Sequence, residues 1–209
     1  MPPVELLLAF AAATLVFAYM PGPALLYTAA QTVARGRAAG LWAALGIHVG
    51  CYAHVFAATF GLSAVFATVP TLYTALKLAG GAYLVWLGLQ MIRTRTSGAH
   101  MTYVPQRSKR RAFADSILVE LLNPKVAVFF IAFLPQFVTA DASLPIWAQF
   151  LILGTLVNLT FTSADLFVVY FASSVQRRLA RSSRWQDFTR WIGGSVLMGL
   201  GVKLAAERG

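Results

Sequence analysis

Glu120-Leu121-Leu122-Asn123-Pro124-Lys125 lies inside an apolar run from Phe113 to Val138. A run of that length can cross a bilayer, for which about 20 predominantly apolar residues suffice. Yet it holds a carboxylate, a proline and an ammonium, each costly in hydrocarbon. Pro124 has no N–H, so the carbonyl of Glu120 loses its helical partner, and the proline ring crowds that same carbonyl. Broken backbone at membrane depth persists only where protein or a cavity surrounds it. Ionisable residues at that depth face a bundle interior or a water-filled cavity. The segment therefore reads as half of a solute site, with the freed carbonyl as a ligand, and the rest of the chain as its enclosure.

The composition fits such an enclosure. The 209 residues are 58% hydrophobic and 11% charged, against roughly 25% charged in an ordinary soluble domain, and the mean hydropathy is +0.69. The chain is an integral membrane protein. Six apolar segments are long enough to span: 5–33, 39–66, 71–92, 113–138, 145–174 and 188–206. They show no period-2 alternation and far exceed strand length, so they are helices and not barrel strands. Met1-Pro2-Pro3-Val4-Glu5 carries no Lys or Arg, so the first segment is expected to be a retained span and not a cleaved signal.

A net charge of +10 suggests nucleic acid until its placement is considered. Thirteen of the seventeen Lys and Arg fall in the connectors after segments one, three and five, from Arg35 and Arg37 through Arg107–Arg111 to Arg177–Arg190; three, Lys77, Lys203 and Arg208, fall on the other side. That asymmetry is the positive-inside signal. It predicts that both termini lie outside the cytoplasm, with no nucleic-acid partner. The basic 93–112 linker is expected to be cytoplasmic, with lipid headgroups as its neighbours.

A second break stands in the first segment. In Met20-Pro21-Gly22-Pro23-Ala24, Pro21 and Pro23 free the carbonyls of Phe17 and Tyr19, and Gly22 permits non-helical angles. Pro23 can open a new half-helix whose N–H groups favour an anion. Superposing Pro23 on Pro124 aligns the two breaks, each in the first span of a three-span group. Because three is odd, the halves sit upside down relative to each other, and paired interrupted helices point to a transporter's midplane site. The expected fold is all-α: six transmembrane helices in one domain, 1–209, as two inverted three-helix repeats (1–92 and 113–209) with helices one and four broken.

The fifth segment places Asp165 at mid-depth, near Asn158, Thr160, Thr162 and Ser163. An aspartate there costs ~2.5 to 3.5 kcal/mol on the insertion scale unless paired, and Lys125 is the obvious partner. His48 and His54 are six residues apart, about 240° around a helix, so they make no metal pair; His48 and Asn158 are instead candidates for the cavity lining. Cys51 is alone, which excludes thiol redox chemistry. No hydrolase elbow, metalloprotease helix or phosphate loop occurs. An enzyme is not expected, nor any cofactor or metal.

The constellation suits a zwitterion. The half-helix after Pro23, with Asn123 and Lys125, can receive a carboxylate; freed carbonyls near Glu120 and Tyr19, with Glu120 or Asp165, can receive an ammonium. Glu120 and Asp165 are the candidates for proton or ion coupling. Pro21, Gly22, Pro23, Asn123, Pro124 and Lys125 are the candidate substrate-binding residues. The reading is a secondary amino-acid transporter, with substrate/proton antiport physically reasonable, a channel, a structural membrane protein or a metal/cation efflux carrier as alternatives and a homo-oligomer allowed.

Pro21-Gly22-Pro23, Arg35-Gly36-Arg37-Ala38-Ala39-Gly40, Gly46, the run Leu76–Gly88, Leu122-Asn123-Pro124-Lys125 and Phe133-Leu134-Pro135-Gln136-Phe137 together resemble the LysE/RhtB family of bacterial amino-acid exporters, nearly end to end. The resemblance implies efflux of basic or small neutral amino acids from the cytoplasm across a bacterial inner membrane, and a functional set of Pro21, Gly22, Pro23, Asn123, Pro124, Lys125 and Asp165. Ser116 stands where many members carry glycine, which bears on helix packing.

Overall fold

A computed structural model describes residues 4–69 and 109–179, with isolated helical positions between 71 and 93 and between 191 and 202. The third and sixth predicted spans, apart from those positions, and linker residues 94–108 lie outside the described residues, as do Lys77, Lys203 and Arg208. Every described element is helical. Helix α1 (Val4–Tyr19) meets α2 (Pro23–Arg35), then α3 (Arg37–Phe56) runs through a π-helical turn (Ala57–Leu62) into α4 (Ser63–Thr68). Helix α5 (Lys109–Leu121) meets α6 (Pro124–Ala132), a 3₁₀ turn follows (Leu134–Phe137), and α7 is Ile146–Leu179.

Both predicted breaks are present. The axes of Leu6–Tyr19 and Pro23–Arg35 differ by 47°, and those of Arg110–Leu121 and Pro124–Phe137 by 45°. The cause is the same at each. A residue before proline is pushed out of the α region, and Gly22 (φ −144, ψ 178) and Asn123 (φ −77, ψ 101) are extended, with proline opening the next half-helix. Arg37–Val65 and Ile146–Phe171 are long and apolar enough to cross a membrane singly, and each bent pair is so as one span. The described residues thus hold two candidate crossings, or four with each bent pair counted as one span, where the first, second, fourth and fifth were expected.

The join between the first two spans is tighter than expected. A single residue, Gly36 at φ 84, separates α2 from α3, and its N–H caps Thr32 O at 2.9 Å. Only glycine enters that left-handed region without strain. The π-helical turn was not expected; within it Thr59 Oγ1 donates to Val55 O at 2.8 Å and Ser63 Oγ to Thr59 O.

In lipid there is no hydrophobic drive between helices, so close packing holds them together. Helix α3 lies nearly against the backbone of α5. A Cβ on Gly46 would collide with Ser116 Oγ and Phe113 O, and one on Gly50 would stand 3.0 Å from Ile117 O. Ser116, fully buried, folds its hydroxyl back onto Phe113 O at 2.7 Å. Its extra bulk relative to glycine is thus accommodated by Gly46. On the other side a ladder of rings joins α1 to α6: Phe17 on Phe129 at 4.2 Å, Phe129 on Phe133 at 4.3 Å, Phe133 on Phe137 at 4.7 Å, and Phe10 against Phe137 at 5.2 Å. Positions 129, 133 and 137 recur every fourth residue, which makes one stripe, and each ring pair adds about 0.5 to 1.5 kcal/mol beyond the area it covers.

Candidate functional site

The two breaks meet. Lys125, in the first turn of α6, reaches across to the end of α1, where Nζ donates to Phe17 O at 2.9 Å and to Met20 O at 2.6 Å. It lies 4.5 Å from the centre of the Phe17 ring, within cation–π range. Its stem passes Gly22 so closely that a Cβ there would be 2.7 Å from Lys125 Cδ. Pro21 therefore frees the carbonyl of Phe17 as expected, and that carbonyl does become a ligand. Its guest is the protein's own lysine. Together with the negative end of a helix, two carbonyls and an aromatic face make a fitting environment for an ammonium.

One expectation about Lys125 is corrected. It does not pair with Asp165, because its ammonium is committed to the α1 carbonyls, and Asp165 Oδ1 has no hydrogen-bond partner among the described residues. A second correction concerns the carbonyl of Glu120. Far from being a free ligand, it accepts from Asn123 N–H at 3.0 Å and is bonded by His54 Nε2 at 2.9 Å. A buried carbonyl released by proline must find another donor, and His54 on α3 supplies it. That requirement was visible in the sequence, but which histidine would meet it was not.

Asn123 ties the second break together. Its Oδ1 caps α6 by accepting from Lys125 N–H at 3.2 Å, and its Nδ2 donates to Glu120 Oε2 at 3.0 Å. Glu120 and Asp165 are 1% and 3% exposed, and Glu120 Oε1, like Asp165 Oδ1, lacks a partner among the described residues. Gly22, Glu120, Asn123, Lys125 and Asp165 all line one cavity, closed off by Phe17, Ile47 and Phe161. Its volume is about 30 Å³, room for a water molecule or two. The first residues of α2, Ala24 and Leu25, share the lining. Gly22 caps that helix with no side chain, so its leading N–H groups offer the site a positive pole.

The three prolines shape the site without walling it: Pro21, Pro23 and Pro124 are exposed and none lines the cavity. His48 and Asn158, the other candidate lining residues, are not in it either. His48 Nδ1 is 2.6 Å from Thr162 Oγ1 and Asn158 Nδ2 donates to His48 O at 3.1 Å, so they bolt α3 to α7. Phe17 and Ile47 were missed as lining. Among the described residues no group of three or more His, Cys, Asp or Glu is placed to hold a metal.

The sequence was compared with known proteins. The family description "LysE type translocator" matches residues 15–208. A membrane protein of Vibrio cholerae is 30% identical over 98% of both chains. The homoserine/homoserine lactone efflux protein of Salmonella typhimurium is 30% identical over 90% of both, and the leucine efflux protein of an Enterobacter species 27% over 90% of this chain and 89% of its own. No solved structure matches. With broken membrane helices meeting at a buried charged cavity and a family match over nearly its whole length, the chain belongs to the LysE type translocators, membrane transporters and not enzymes.

Proposed function

We propose that this protein exports a small amino acid from the cytoplasm by alternating access around the cavity where the two breaks meet. The observation that carries the proposal is the charge arrangement there. An ammonium is held by carbonyls at the end of one half-helix, beside two buried carboxyl groups with unpartnered oxygens, and the uncapped start of another half-helix shares the lining. A zwitterion presents the complement of both poles. The named relatives export homoserine, its lactone and leucine, which have an α-amino group in common and differ at the other end. This supports a site that reads the ammonium first.

The six-span, inverted-repeat architecture with both termini outside belongs to the same proposal, supported by the similar breaks and by the basic connectors. Glu120 and Asp165 are the groups that exchange a proton for the solute. The test is efflux from proteoliposomes preloaded with leucine, homoserine, threonine, lysine or arginine. At least one should leave by a saturable route that is accelerated by the same amino acid outside. Unsaturable current, or no flux across the panel, overturns the proposal.

A further inference from the structure

We infer that the carbonyls of Phe17 and Met20 are the receptor for the solute's primary ammonium, and that Lys125 is a tethered occupant which the solute must displace. The identity of the solute rests on the export proposal; the receptor rests on geometry alone.

A primary ammonium has three N–H donors and no acceptor, and the end of α1 meets it with oxygens at 2.9 and 2.6 Å and a ring face at 4.5 Å. That receptor is built for the –NH₃⁺ group in general, since it touches nothing else of the lysine but its stem. If the lysine were a purely structural charge, pairing with a buried carboxylate would be its least costly arrangement. Instead Glu120 Oε1 and Asp165 Oδ1 stand without partners in the lining of the same cavity. The site thus offers more acceptor oxygen than one ammonium uses.

Space decides how a second ammonium could enter. About 30 Å³ admits water but no amino acid beside Lys125, and two ammonium groups on one pair of carbonyls would repel strongly in so dry a place. Replacement is the remaining route. The lysine is equipped for it: its flexible four-carbon stem lies in a slot that exists because residue 22 has no side chain. As one cation leaves, another arrives, and the carbonyl pair is never without positive charge.

The experiment measures binding of radiolabelled methylammonium to detergent-purified wild type and to Lys125→Met. A tethered group competes at millimolar effective concentration or above, so its removal should tighten methylammonium binding by roughly tenfold or more. Leucine and homoserine should displace the probe, and acetate should not. A monodisperse Lys125→Met protein that binds methylammonium no better than wild type overturns the inference. Should that variant not fold, a second protein decides: Lys77, Lys109 and Lys203 are replaced by arginine, leaving Lys125 as the one ¹⁵N-labelled lysine. Its Nζ resonance should shift saturably as methylammonium is added; an unmoved signal overturns the inference. Neither readout needs flux. Methylammonium binding in a protein that moves no amino acid keeps the receptor and removes the export proposal, whereas amino-acid flux without it does the reverse.

Discussion

Asp165 is nearly inaccessible, and one of its oxygens has no partner among the described residues. Its amide isostere keeps the volume and removes the charge. Asp165→Asn is expected to reduce efflux to background while the protein still inserts and purifies as a single species, as is Lys125→Ala; wild-type flux in either would remove that residue from the mechanism. Glu120 differs, because Asn123 already holds one of its oxygens. Glu120→Gln is expected to leave substrate binding in place and abolish the dependence of efflux on an imposed pH gradient. Flux that still follows the gradient would assign coupling elsewhere. How much of this could be read from the chain alone follows a pattern. Proline chemistry named the liberated Phe17 carbonyl correctly, because the loss of an i−4 donor is a local rule. The destination of the Lys125 ammonium was misjudged, and His54 was overlooked. Both depend on how one helix is rotated against another, which spacing along a single helix does not fix.

The helices owe their arrangement to glycines on one side and rings on the other. Gly46 faces backbone and a buried hydroxyl, whereas nothing described lies within 4 Å of a Cβ on Gly61. Alanine gains about 1 kcal/mol of helix propensity over glycine at either site, but overpacking at position 46 costs about 1 to 3 kcal/mol. Gly46→Ala should therefore lower the thermal midpoint in detergent while Gly61→Ala holds or raises it. Equal effects would contradict the α3–α5 contact. The helical breaks and the long apolar helices were legible because Pro and long apolar runs act locally. The π-helical turn at Ala57–Leu62 was not: it contains no proline and its sequence, Ala-Ala-Thr-Phe-Gly-Leu, is ordinary for a membrane helix.

For the protein as a unit, the decisive quantity is which side of the bilayer each connector faces. Cysteine labelling in a Cys51→Ala background is expected to show residues near both termini reacting from outside intact cells and residues near Arg35 only after permeabilisation. The opposite pattern would overturn the membrane orientation drawn from the basic connectors. The family was legible because its signature is an ordered set of breaks and basic turns spread along the chain. The solute was not, since it depends on the few side chains that close so small a cavity.

The glycine contacts also apportion motion. Gly40 abuts Thr32 of α2 and Val169 of α7, and Gly46 and Gly50 abut α5, so α2, α3, α5 and α7 have no slack among them. Stacked rings and Lys125 join α1 to α6, and ring contacts join both to Phe161 of α7 and α1 to Phe167. In the proposed export cycle, swelling of the cavity to admit a solute would therefore have to loosen these ring contacts before the glycine contacts, close to the breaks at Gly22 and Asn123.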